Sequence, residues 1–65
     1  SGFHIGFFAE VEHEIGDLYD RMAAAGVEIV HPLAPLAGGG TGFYCRGAGV
    51  LVEVAWRPPS GPGSR

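Results

Sequence analysis

Two short apolar runs, residues 3–9 and residues 49–56, constrain the fold of this chain most. Both are rich in aromatic or β-branched residues with Gly or Pro nearby, which is the pattern of a strand. Each run has one ionisable side chain in its interior, His4 in the first and Glu53 in the second. Side chains alternate between the faces of a strand, so each of these two residues falls on the less bulky face. If both faces lie on one side of one sheet, they form a shallow apolar concavity that contains an imidazole and a carboxylate.

The segment from residue 14 to residue 25 has the apolar spacing of an amphipathic helix. Its apolar residues recur every three or four positions: Ile15, Leu18, Tyr19, Met22 and Ala25. Glu14 and Asp17 suit the positive end of the helix dipole, and Gly26 is a suitable C-terminal stop. We therefore predict a helix over residues 14–25, preceded by a polar crossing at residues 10–14.

Three further segments complete the predicted order of elements. They are a short strand at residues 27–30, a strand at residues 41–46 and a turn at residues 47–49. The first of these strands is expected to end before His31, where a loop rich in Pro and Gly begins; His31 and His13 are therefore expected to be solvent-facing loop residues. The order β-α-β-β-β predicts an α+β fold with one helix and a four-stranded sheet. This single module takes residues 3–56, and a flexible Pro/Gly/Ser tail takes residues 57–65.

A partner chain is expected because one helix can cover only one face of such a sheet. We expect the helix to cover the face with Phe7 of the first strand and Val54 of the last. The opposite face would then leave Phe8 and Leu51 in water, which is costly for a small core. With 65 residues and one cysteine, the chain has no internal disulfide to compensate. We infer association with another chain, most simply a second copy related by a two-fold axis.

The charge of the chain restricts its partners and its compartment. The chain has seven acidic residues, four arginines and no lysine, which gives a net charge of −3. Nucleic-acid binding is therefore disfavoured. No apolar run is long enough to cross a bilayer, and no basic-then-apolar leader is present. We expect a soluble protein of a reducing, cytoplasmic compartment.

Four stretches of the chain together resemble a known module. They are His4-Ile5-Gly6-Phe7, LYDRMAAAGV at residues 18–27, GFYCR at residues 42–46 and LVEV at residues 51–54. In order and spacing they are similar to one βαβββ module of the vicinal oxygen chelate superfamily. This superfamily includes glyoxalases, extradiol dioxygenases, methylmalonyl-CoA epimerases and bleomycin- or fosfomycin-resistance proteins. The resemblance covers nearly all of residues 3–56 and implies a mixed sheet that pairs with a second module to form a metal-binding cup.

The resemblance also implies a divalent metal ion and two of its ligands. The family's ligand positions, a His that opens the first strand and a Glu on the last, correspond to His4 and Glu53. One module then supplies only half of the ligands, and a second copy would complete a set of two imidazoles and two carboxylates. Fe(II), Mn, Ni, Co or Zn would suit such a shell.

The family's chemistry implies roles for two residues. Two neighbouring oxygens of a small oxygenated substrate chelate the metal, which stabilises enolate-like charge. Glu53 is the candidate for moving a proton. Tyr44 resembles the tyrosine that extradiol dioxygenases have ahead of their carboxylate ligand, which implies contact with substrate. The segment just before Phe43-Tyr44 has no histidine, where those dioxygenases have one, and this favours isomerase, epimerase or plain binding over ring cleavage.

Several alternatives are open at this point. His4 and Glu53 can be structural, each paired with a neighbouring backbone group. The chain can also be a non-catalytic binding protein for an antibiotic-like small molecule, or an inactive half of a two-module enzyme. Cys45 is expected to be a packing residue, because it has no activating neighbour in sequence.

Overall fold

The computed structural model describes residues 4–59 of the chain, with side chains from residue 5 onward. Its elements, in chain order, are β1 (His4–Phe8), α1 (Glu12–Ala24), β2 (Glu28–Pro35), β3 (Thr41–Gly47) and β4 (Val50–Trp56). Phe3 and residues 60–65 of the predicted tail lie outside this range. The order confirms the predicted βαβββ module with one helix. No helix in the described range is long and apolar enough to cross a membrane.

The four strands form one mixed sheet in the order β1-β4-β3-β2. β1 runs parallel to β4, whereas the β4–β3 and β3–β2 pairs are antiparallel. The β3–β4 connection is a two-residue turn in which Ala48 and Gly49 have φ values of 52° and 77°. Positive φ at both positions characterises the type I′ turn, whose twist matches that of a hairpin.

α1 begins at Glu12, two residues earlier than predicted. Val11 is its extended N-terminal cap residue and makes no side-chain hydrogen bond, whereas Glu12 and Glu14 place acidic groups in the first turn. The Thr41 hydroxyl donates to the Glu12 carboxylate at 3.0 Å, which ties the start of the helix to β3. The stretch assigned to a polar crossing is therefore partly helical, because its acidic residues are favoured at this end of a helix.

The C-terminal end of α1 agrees with the prediction. Gly26 has a φ of +87°, and its N–H donates to the carbonyl of Ala23. The N–H of Val27 donates to the carbonyl of Met22 at 3.0 Å. These two bonds and the left-handed glycine constitute a Schellman motif, which satisfies the last carbonyls of the helix.

The prediction that β2 ends before His31 is wrong. β2 continues to Pro35, with register shifts on both sides of His31. Proline is tolerated there because β2 is at an edge of the described sheet, where a missing N–H breaks no ladder hydrogen bond. His31 therefore faces solvent, as predicted, but from a strand; His13 is likewise exposed, on α1.

The core lies between α1 and the strands β2, β3 and β4. Its buried side chains are Ile15, Phe43, Cys45 and Val54. The Tyr19 and Phe43 rings meet edge to face with centroids 5.0 Å apart. Within the described residues α1 does not pack on β1, and Phe7 is 52% exposed. The expectation that the helix covers this part of β1 is wrong, because β1 is the edge strand beyond β4.

Candidate functional site

The candidate site is on the open face, by which we mean the face of the sheet opposite α1. Strand pairing aligns four residues in one row across it: His31 of β2 with Tyr44 of β3, Tyr44 with Glu53 of β4, and Glu53 with Gly6 of β1. Tyr44 and Glu53 are partly buried, whereas His31 is exposed. The row thus brings a phenol and a carboxylate, two of the predicted site residues, onto neighbouring strands.

Gly6 leaves space beside Glu53 because it adds no side chain to the row. The ring of Phe8 lies over this gap: a Cβ atom added at Gly6 would be 3.1 Å from Cε2 of Phe8. Phe8 itself is 56% exposed. As predicted for this face, this large apolar ring is left in water in the single chain, whereas Leu51, for which we expected the same, is partly buried.

The next row of the open face is built mainly from small residues. Ala34, Gly42 and Ala55 align across β2, β3 and β4, and Ala55 pairs with Phe8 of β1. Gly42 and Ala55 are buried, and a Cβ atom at Gly42 would be only 2.9 Å from Cβ of Ala55. This row therefore carries less side-chain bulk than the neighbouring row with Tyr44 and Glu53.

The Glu53 carboxylate has one charged partner among the described residues. Its side chain is 14% exposed, and its Oε2 is 3.8 Å from Nη2 of Arg57. The Nη1 of Arg57 also donates to the carbonyl of Ala37, at 3.5 Å. Taking a carboxylate out of water is costly unless it has such a partner. Arg57 was not expected at the site, because it lies in the stretch that was assigned to the tail.

His4 is described only as a backbone position. It pairs with Leu51, two residues along β4 from Glu53, and its side chain lies outside the described part of the structure. The assignment of His4 as a metal ligand therefore stays a prediction, as does that of Glu53. Among the described residues, no group of three His, Cys, Asp or Glu side chains could hold a metal ion. Glu53 fits a metal shell as a single carboxylate ligand, so His4 and a second module would have to supply the rest.

Cys45 lies on the other side of the sheet from this site. Its side chain is 2% exposed in the core beneath α1, and burial raises the pKa of its thiol. A buried thiol of raised pKa is a poor nucleophile. The prediction that Cys45 is a packing residue agrees with this placement.

His31 is the residue of the open face that the sequence analysis did not assign to the site. Its ring meets that of Tyr44 edge to face, with centroids 6.0 Å apart. The only sequence signal was the neighbouring proline, which argued for a loop. The register shifts that align His31 with Tyr44 depend on β3, and so could not be read from residues 28–35 alone.

Comparison with known families identifies the module. The profile of the Glyoxalase/Bleomycin resistance protein/Dioxygenase superfamily matches residues 1–54. The chain belongs to this superfamily. A comparison with curated protein sequences gives no match.

Two crystal structures share the fold of this superfamily member. A glyoxalase-related enzyme from Fulvimarina pelagi aligns with a TM-score of 0.77 at 25% sequence identity, covering 100% of this chain and 49% of that one. A glyoxalase/bleomycin resistance protein/dioxygenase from Alicyclobacillus acidocaldarius aligns with a TM-score of 0.75 at 17% identity, covering 91% of this chain and 48% of that one. The chain therefore spans about half the length of both proteins.

Proposed function

We propose that this chain is one module of a metal-dependent enzyme that acts on a small oxygenated metabolite, at a site completed by a second copy or a sister module. The observation that carries the proposal is the position of Glu53, a largely buried carboxylate in the middle of the open face, next to Gly6, which adds no side chain to its row. A module half as long as its structural relatives supports a site shared between two modules.

Each residue of the site has a chemical role in this proposal. His4 and Glu53 would hold the divalent ion, which when bound stabilises negative charge on two neighbouring substrate oxygens. Glu53 would also hold or release a proton next to the reacting carbon. Tyr44, beside Glu53 on the next strand, would hydrogen-bond a substrate oxygen through its phenol.

Metal binding to the full chain tests the proposal. We expect Ni²⁺, Mn²⁺, Zn²⁺ or Fe²⁺ to raise the melting temperature of the chelator-treated protein, with about one ion bound per two chains if two copies share a site. His4→Ala and Glu53→Gln should each weaken binding by more than about 100-fold, because each removes a proposed ligand and the loss of a ligand's hydrogen-bond partner alone costs about 10- to 100-fold.

The control is His13→Ala, which removes an exposed imidazole from α1 and should bind metal like the parent protein. Circular dichroism and sedimentation of each variant report whether it is folded and associated. If no metal stabilises the protein, or if His13→Ala weakens binding as much as His4→Ala, the proposal fails.

The ion pair between Glu53 and Arg57 favours a second candidate, a metal-free protein that binds a small molecule without reaction. Arg57 already places a positive charge beside the Glu53 carboxylate, so no metal cation is required to balance that carboxylate. Arg57→Ala separates the two candidates. In a metal enzyme it removes a competitor for the carboxylate and strengthens metal binding by about two- to fivefold, the factor that an exposed ion pair of about 0.5–1 kcal/mol represents. In a metal-free binding protein it destabilises the fold slightly, and the variant still binds no metal.

A further inference from the structure

His31 is held in place by two irregularities of β2. One extra residue, Val30, lies between the positions that pair with Cys45 and Tyr44, and a second register shift follows His31. Bulges of this kind re-aim side chains and are frequent beside functional sites. Here they put an exposed imidazole edge to face against the Tyr44 ring, at the end of the row that contains Glu53.

A cavity of about 160 Å³ opens beside this pair of rings. Its polar side chains are those of His31 and Tyr44, and its walls include Pro32, Pro35 and the backbone at Gly42. An enclosed apolar cavity of about 150 Å³ can accommodate benzene. The hollow beside His31 has a similar volume but is open to water, since His31, Pro32 and Pro35 are exposed, so it would seat one face of a six-membered ring.

We propose that this cavity, the His31 pocket, binds a flat ring that carries a hydroxyl group, and that His31 determines this specificity. The ring would pack on the proline and tyrosine faces, and the hydroxyl would meet the imidazole, which offers one donor and one acceptor when neutral. The inference rests on the proposed function in one respect, since it assigns the ring to the substrate that reaches Glu53.

A larger groove of about 280 Å³ lies between α1 and β1 and is the competing location for a ligand. It is lined by Phe7, Leu18 and Arg21, with Glu14 and Asp17 at its polar side. It adjoins the exposed edge strand β1, where the proposed second module would lie. We therefore place the ring in the His31 pocket, and ligand binding in this groove becomes an outcome of the test.

Three probes of similar size test the proposal by NMR titration of the full chain. Phenol is flat and has a hydroxyl group, cyclohexanol has the hydroxyl group without a flat ring, and toluene has the flat ring without oxygen. We expect phenol to bind about fivefold more tightly than toluene, the factor that corresponds to one neutral hydrogen bond. Cyclohexanol should bind more weakly than phenol. The shifted resonances should be those of His31, Tyr44 and Gly42.

Two variants show whether His31 is responsible. His31→Phe keeps an aromatic ring against Tyr44 but has no hydrogen-bonding atom, so phenol should lose its fivefold advantage over toluene. His13→Phe makes the same change on the exposed face of α1 and should leave all three affinities unchanged. Equal binding of phenol and toluene by the parent protein, an unchanged preference in His31→Phe, or shifts that map to Phe7 and Leu18 would each overturn the proposal.

The test is independent of the metal. All titrations use chelator-treated protein, so no bound ion contributes to the measured affinities. If phenol binds as predicted while no metal binds to the parent protein, the His31 pocket stands and the proposed metal function fails. If metal binds to the parent protein but phenol and toluene bind equally well, the proposed metal function stands and the His31 pocket fails.

Discussion

Tyr44 and Cys45 are adjacent in sequence, yet they face entirely different surroundings. Tyr44 lies on the open face beside Glu53 and His31, whereas Cys45 lies in the core with 2% of its surface exposed. The strand's alternation of side chains accounts for the difference. At the residue scale, one strand thus separates the candidate chemistry from the packing that supports it.

The buried thiol of Cys45 gives a stability prediction with a defined pH dependence. Burial raises the pKa of Cys45 above its ordinary value of 9.0, so the folded state holds the proton more tightly than the unfolded state does. The contribution of the protonated Cys45 thiol to the stability of the fold is complete below pH 9.0, the ordinary pKa, and is lost as the pH rises through the higher pKa of the folded state. We expect Cys45→Ala to lower the free energy of unfolding by about 1 kcal/mol at neutral pH.

The measurement is urea unfolding of both proteins across the alkaline range. The difference in free energy of unfolding should shrink as the pH rises above 9.0. A difference that stays constant to higher pH would mean that the thiol titrates alike in both states. Since Cys45→Ala keeps every other ionisable group, it also controls for the titration of tyrosines.

At the element scale, close approach of β3 and β4 shapes the open face. Gly42 lies against Ala55 and the carbonyl of Val54, and a Cβ atom there would be 2.9 Å from Cβ of Ala55 and from that oxygen. The two strands therefore come together only because one position has no side chain. The same contact lowers the row of small residues beside Glu53.

Gly42→Ala and Gly16→Ala should change stability in opposite directions. At Gly42 the added methyl group overpacks the β3–β4 pair and should cost about 1–3 kcal/mol. Gly16 lies in α1 with no described atom within 4 Å of an added Cβ, so alanine should stabilise the helix by about 0.5–1 kcal/mol. Urea unfolding of the two variants measures both effects. Equal effects of the same sign would contradict the close approach at Gly42.

At the scale of the whole molecule, β1 is the least protected element. Ile5, Phe7 and Phe8 are each at least half exposed, on both faces of a strand at the edge of the described sheet. An apolar edge strand of this kind favours pairing with another chain.

We predict that the stability of the protein depends on its concentration. For a dimer, each tenfold increase in concentration adds about 1.4 kcal/mol to the apparent stability. Ile5→Lys should weaken association and lower the melting temperature, because it puts a charge into the predicted contact. Ala24→Lys, on the exposed outer side of α1, should leave the association and the melting temperature unchanged. Sedimentation velocity and thermal melting over a concentration series measure both properties; a parent monomer with a concentration-independent melting temperature would contradict the prediction.

Local patterns in the sequence were sufficient for most of the fold. The spacing of Ile15, Leu18 and Met22 predicts α1, and the alternation around Val54 predicts which face of β4 meets it. The predicted end of β2 failed because prolines are tolerated in an edge strand, and edge position depends on the order of all four strands. The expectation that the helix covers β1 failed for a similar reason. The strands that lie beneath a helix depend on the order of all the strands, and no single segment encodes that order.

Local periodicity and the spacing of short motifs were enough to predict the order of the elements, the alternation of their faces and the family to which their pattern belongs. The row of His31, Tyr44, Glu53 and Gly6 became visible only in the folded chain, as did the contact between Arg57 and Glu53. Strand register is a property of pairs of strands, so no single strand contains it. A bulge in β2 changes which residues meet across the sheet without changing the pattern of either strand.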